Sequence, residues 1–186
     1  MNNSFITGVG KINSGEYDKV SISGTGNIDG NIKANEINVS GVANFKGTVE
    51  ASSLKVSGVG KFGDDVKSKT IFVSGFAKMD QDLSADSITV NGTLHISGDV
   101  NTDILMIDTK ESHFKNIFGD CINIKSIRKT KIAEIEATNI SLTNVQVKRV
   151  SGSKVEILKY SHVDVVEFSE SLKIHDTCVI GKIIKL

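Results

Sequence analysis

The sequence predicts an all-β chain wound as a single-stranded parallel β-helix, a β-solenoid of roughly ten laps with about 17 residues in each. Three observations predict it. A short apolar pentad returns at a constant interval. Within each interval apolar residues come in alternating pairs. The composition is that of strands and tight corners: Gly is plentiful at 17, Pro is zero, and Val, Ile, Ser, Thr and Asn dominate the rest.

The pentads run Val20-Ser21-Ile22-Ser23-Gly24, Ile37-Asn38-Val39-Ser40-Gly41, Leu54-Lys55-Val56-Ser57-Gly58, Ile71-Phe72-Val73-Ser74-Gly75 and Ile88-Thr89-Val90-Asn91-Gly92, each 17 residues after the last. The beat continues without Ser-Gly at Leu105-Met106-Ile107 and Ile122-Asn123-Ile124. It then slips by one residue to Ile140-Ser141-Leu142, shortens to Val155-Glu156-Ile157 and regains 17 at Leu172-Lys173-Ile174. Regular laps are expected over 18–109 and less regular ones over 110–186, in one domain spanning 1–186.

Inside a lap the pairs are Ile37/Val39, Ala43/Phe45 and Val49/Ala51, then Ile71/Val73, Ala77/Met79 and Leu83/Ala85, then Ile88/Val90, Leu94/Ile96 and Val100/Thr102. A period of two puts one face of each short strand inward. Three such strands joined by polar corners close a roughly triangular lap, and equivalent residues stack about 4.8 Å apart. The same residues share no helix face. A β-sandwich has strands of this length but gives no reason for a constant 17-residue beat. Missing Pro suits a chain whose backbone N–H groups are needed in a ladder.

Lys plus Arg and Asp plus Glu number 22 each, which argues against a whole-chain nucleic-acid or membrane-surface binder. Cys121 and Cys178 read as reduced thiols. The first 30 residues lack a basic stretch followed by an apolar run, so no secretory signal is expected. The expected location is the cytoplasm, with membrane association open.

A lone lap cannot offset its own ordering entropy, so neighbours must supply ladder bonds and stacking. End laps are therefore expected to expose strand edges and apolar cross-sections. Candidate self-association residues are Cys178, Ile180, Ile183, Ile184 and Leu186 at the C-terminal end, and Phe5, Ile6, Val9 and Ile12 at the N-terminal end. Val42, Val59 and Phe76, with Phe72 near them, form a candidate lateral contact. Lys125, Arg128, Lys129, Lys131, Lys148 and Arg149 form a candidate basic docking face where the repeat slips.

Other polar columns read as structure. Ser23, Ser40, Ser57, Ser74 and Asn91 beside their glycines read as corner chemistry, with Gly supplying positive φ and Ser bonding the turn. Asp65, Asp82 and Asp99 read as Asx corners, the alternative being a cation or sugar site. Lys33, Glu50 and Lys67 read as register support. His95, His113, His162 and His175 are scattered, with no HxH, HExxH or CxxC spacing for a metal. No Ser/His/Asp constellation can be argued, so neither enzyme activity, cofactor nor small-molecule substrate is expected.

The run Val20–Ile32, Val-x-Ile-Ser-Gly-x-Gly-x-Ile-x-Gly-x-Ile, and the similar runs at 37–49 and 54–66, resemble the bactofilins, a family of polymer-forming bacterial cytoskeletal proteins. Residues 5–109 carry the resemblance best, and 110–186 continue it in decayed form. The resemblance implies a right-handed β-helix that assembles end to end into non-polar filaments without nucleotide, as a scaffold in the cytoplasm or at its membrane. It also implies Pro-rich tails and a short membrane-binding N-terminal segment, from which this chain departs: it has no Pro, and Met1-Asn2-Asn3-Ser4 is a poor version of the latter. The expected function is a self-assembling scaffold whose first partner is itself, with membrane surface or cell-envelope proteins as further candidates and nucleic acid not expected. The alternatives are a non-polymerising β-helical binding module and, more remotely, a carbohydrate-active β-helix enzyme.

Overall fold

In the computed structural model, which describes residues 2–186, the chain is an all-β parallel solenoid of about 11 turns. The strands are β1 (Asn2–Ile6), β2 (Val9–Ile22), β3 (Thr25–Val39), β4 (Val42–Phe45), β5 (Val49–Val56), β6 (Val59–Phe62) and β7 (Val66–Val73). They continue with β8 (Phe76–Met79), β9 (Leu83–Val90), β10 (Thr93–Ile96), β11 (Asp99–Thr109), β12 (Asn116–Leu158), β13 (His162–Ile174) and β14 (Val179–Lys185). Among the described residues every strand pairing is parallel, and the longer strands bend around corners without breaking.

The predicted columns are present. Ile22, Val39, Val56, Val73, Val90, Ile107 and Ile124 stand one above another and are all buried. Beside them run Val20, Ile37, Leu54, Ile71, Ile88, Leu105 and Ile122. A third column, Ile28, Phe45, Phe62, Met79 and Ile96, holds the largest core side chains, and the rings of Phe45 and Phe62 stack at 4.7 Å. The core is thus a set of continuous apolar rods along the axis, each lap depending on its neighbours for burial.

At the Ser-Gly corners Ser23 and Ser40 donate to backbone as expected, to Ile6 O at 3.4 Å and Ile22 O at 3.5 Å, but the glycines are not there for the reason expected. None of Gly24, Gly41, Gly58, Gly75 or Gly92 has positive φ. A Cβ there would instead meet the carbonyl oxygen of the glycine one lap below, at 2.1 Å for Gly58, Gly75 and Gly92. The stacked backbones approach too closely for any side chain, so the column must be glycine. A glycine corner that does need a left-handed backbone is Gly30, φ 84°, where β3 takes in an extra residue and the interval changes from 16 (Asn13↔Asp29) to 17 (Gly15↔Ile32).

Beyond residue 92 the glycine column ends and buried hydroxyls take over the corner. Thr109 donates to Gly92 O, Ser112 donates to Thr109 Oγ1, and the N–H of Leu94 donates to Ser112 Oγ at 3.2 Å. One lap on, Thr130 donates to Ser126 Oγ at 3.0 Å, and Asn144, in the left-handed region at φ 55°, donates to Ser126 O and Ile127 O. These side chains satisfy backbone groups that a wider corner leaves unpaired. The wider corner also explains the slip: His95, His113 and Lys131 stack at intervals of 18. Val147 and Val150 stand 16 residues before Val163 and Val166, and a bulge between Gly152 and Lys154 restores 17 at Val155↔Leu172.

Candidate functional site

The two ends of the solenoid differ. At the C-terminal end β14 is bonded to β13 along one edge, and no described strand pairs with the other. Its inward residues Ile180 and Ile183 sit on Val163 and Val166, which are fully buried, yet Ile183 is 51% exposed because no described lap covers it. Leu172, Ile174 and Cys178 complete a half-buried apolar cross-section. Two of the expected residues fall outside it. Ile184 stacks on the outward Glu167, and Leu186 lies beside Phe168 against a side groove lined by Phe118, Ala137 and Gly152.

At the N-terminal end Ile6 and Ile12 face the core over Ile22 and Ile28, and are 6% and 4% exposed. Ile6 closes over Gly10 and Gly26, whose missing side chains leave room for it, and Tyr17 packs beside them. Phe5 and Val9 are exposed, but in outward columns over Ser21 and Thr25. The structure therefore does not gather the four N-terminal residues into one apolar face. Met1 lies outside the described residues.

Val9 instead begins the lateral ladder. Val9, Thr25, Val42, Val59, Phe76 and Thr93 form one outward column, 87% exposed at Val9 and 44% at Val42. Phe72 is not near it in register. It stands across the Ser74-Gly75 corner between Lys55 and Thr89, with the Lys55 ammonium 5.8 Å from its ring centroid. Its column continues to Met106, 53% exposed.

Three of the six cations of the basic face are paired with carboxylates. Lys125 pairs with Asp108, Arg128 with Glu111, and Arg149 with both Glu134 and Glu167 at 2.7 Å. The Glu167 carboxylate, then Glu134, raises the Arg149 pKa above its ordinary value. Lys131 and Lys148 are exposed, and the side chain of Lys129 lies outside the described residues. The carboxylates that pair with these cations come from other laps, so a count along 125–159 misses most of them.

The Asp column bonds each lap to the next, through backbone N–H groups at Asp65 and Asp82 and through a side chain at Asp99. Asp65 Oδ1 accepts from the Asp82 N–H at 3.2 Å, Asp82 Oδ1 accepts from the Asp99 N–H at 2.8 Å, and Asp99 Oδ1 accepts from Asn116 Nδ2 at 2.9 Å. Asn31 does the same for the Thr48 N–H at 3.1 Å. Asp82→Ala is expected to cost about 1 kcal/mol in urea unfolding by orphaning the Asp99 N–H, while Asp82→Asn stays near wild type. Equal midpoints for the two variants would remove this role.

Lys33 and Glu50 pair at 3.4 Å with Lys67 next in the column. Cys121 and Cys178 are both free. Among the described residues no group of three or more His, Cys, Asp or Glu converges as a metal site, and no helix is long and apolar enough to cross a membrane. Sequence reasoning missed one contact: His95 and His113, 18 residues apart, touch across the seam where the lap lengthens. No family model, no curated protein and no solved structure matches the chain.

Proposed function

We propose that the chain is a self-assembling scaffold of the bactofilin kind, joining end to end through its terminal laps in the cytoplasm or at its membrane. The observation that carries this reading is the C-terminal lap: an unpaired parallel edge on β14 over an apolar cross-section centred on Ile183. Such an edge templates further sheet, and stacking Ile180 and Ile183 against a second copy continues rods that already run the length of the molecule. A polymer needs a second junction, which falls to the outer edge of β1, where backbone pairing rather than apolar area supplies the contact.

Ile183→Arg is the test, followed by negative-stain microscopy and sedimentation velocity. It places a charge in the junction while disturbing little of the fold, because Ile183 is already half in solvent. Filaments should give way to short species with an unchanged circular dichroism spectrum. Ile184→Arg, on the outward column over Glu167, should leave them intact. Long filaments persisting in Ile183→Arg would refute the junction.

The exposed Val9 and Val42 favour a second reading, a non-polymerising module that docks a partner on its lateral ladder. A chain that stays monomeric at high concentration, and loses a co-purifying partner in Val42→Asp, would support it.

A further inference from the structure

We propose that His95 and His113 form a two-imidazole site for Zn²⁺ or a similar borderline divalent cation, stapling consecutive laps at the seam between the regular and irregular halves. His95 Nε2 and His113 Nδ1 lie 3.3 Å apart, with the ring planes at 86°. Two Zn–N bonds of about 2.05 Å meeting at a tetrahedral angle place their nitrogens about 3.3 Å apart. The separation that serves an imidazole–imidazole hydrogen bond therefore also serves two imidazoles on one metal, with a small ring rotation and a change of tautomer.

The backbone fixes the pair. The N–H of His113 donates to Leu94 O at 3.2 Å and that of Ile96 donates to His113 O at 2.9 Å, so both rings project from adjacent laps on one outward column. The Phe76 ring packs on the far side of His95 with centroids 5.4 Å apart, limiting where that imidazole can turn. His113 is exposed, which leaves an approach for a hydrated ion and room for water on the remaining coordination positions. The charged neighbours are Lys78, Lys131, Glu111 and Arg128. Lys78 is held by Asp80 at 2.6 Å, and Glu111 faces Arg128 at 3.6 Å. Burial, then the neighbouring His113, lowers the His95 pKa, favouring the neutral form that binds a metal.

The location gives the site a purpose. Below the seam β10 pairs in full with β8, but above it the contact is reduced to single bridges, His95↔His113 and His113↔Lys131. A cation held by both rings bonds the laps where the ladder is thinnest, and stabilises the folded chain by an amount that rises with the logarithm of free cation above its dissociation constant.

The test uses the full chain without a histidine tag, titrated with Zn²⁺ by calorimetry and with Co²⁺ by visible absorption at neutral pH, and melted with and without Zn²⁺. One ion per chain and a rise in melting temperature are expected. Because the two ligands act as a chelate, His95→Gln or His113→Gln alone should weaken binding by about tenfold or more and reduce the thermal shift accordingly. The double variant His162→Gln/His175→Gln should keep both. No saturable binding by the wild type, binding indifferent to either seam substitution, or an equal loss on replacing His162 and His175 would each overturn the site.

Discussion

Gly58→Ala should destabilise the chain by about 3 kcal/mol, seen as a lower urea midpoint at similar slope, although it adds a single methyl group at a corner. The added Cβ would lie 2.1 Å from Gly41 O and 2.4 Å from Ser40 O. Both are backbone atoms, so neither can rotate away. Relief requires lifting one lap off the next, and the hydrogen bonds at this corner oppose that: Gly58 N–H to Val39 O at 3.1 Å and Val59 N–H to Gly41 O at 2.8 Å. Because each lap is supported by its two neighbours, a wedge here loosens the core columns on both sides. Gly8 supplies the control. A Cβ there meets nothing within 4 Å, so Gly8→Ala should change stability by no more than about 0.5 kcal/mol. Equal effects at the two positions would show that the glycine column reflects turn preference rather than close approach.

That contrast also separates what the sequence makes legible from what it hides. The pentads reveal the lap length, and the alternation within them reveals which side chains turn inward, because both follow from the two-residue pleat. Ile37, Phe45 and Val49 are buried as their spacing requires. The physical cause of the glycines is not legible, since a corner that needs positive φ and a corner that needs bare backbone look alike in sequence. Nor are contacts between laps that depart from 17. His95 and His113 look unrelated until the hydroxyl corner at Thr109 and Ser112 is seen to lengthen the lap by one. The ends are legible only in part. Apolar content marked both, but register decides which residues face the tip, placing Ile183 there and sending Ile184, Phe5 and Val9 to the flanks.

The same dependence on neighbours appears inside the core, where two substitutions should fail to add. The positions Gly26, Ala43, Gly60, Ala77 and Leu94 form a column two residues before Ile28, Phe45, Phe62, Met79 and Ile96. At Gly60 the space of the absent side chain is filled by the Phe62 ring: a Cβ would fall 2.8 Å from Phe62 Cε2 and 3.3 Å from Cζ. Gly60→Ala alone therefore overpacks and should cost about 1–3 kcal/mol. Phe62→Leu alone removes those ring atoms and the stacking on Phe45, leaving a void, and should cost about 2 kcal/mol. Together the new methyl occupies part of the void that the smaller side chain leaves. Leu94 and Ile96 already divide the volume in this way, both fully or nearly buried. The double variant should accordingly be more stable than the sum of the single effects predicts, by about 1 kcal/mol in denaturant unfolding. Strict additivity would mean that the Phe62 ring swings clear of the new methyl at no cost. The tight fit between these two columns would then contribute nothing to holding one lap in register on the next.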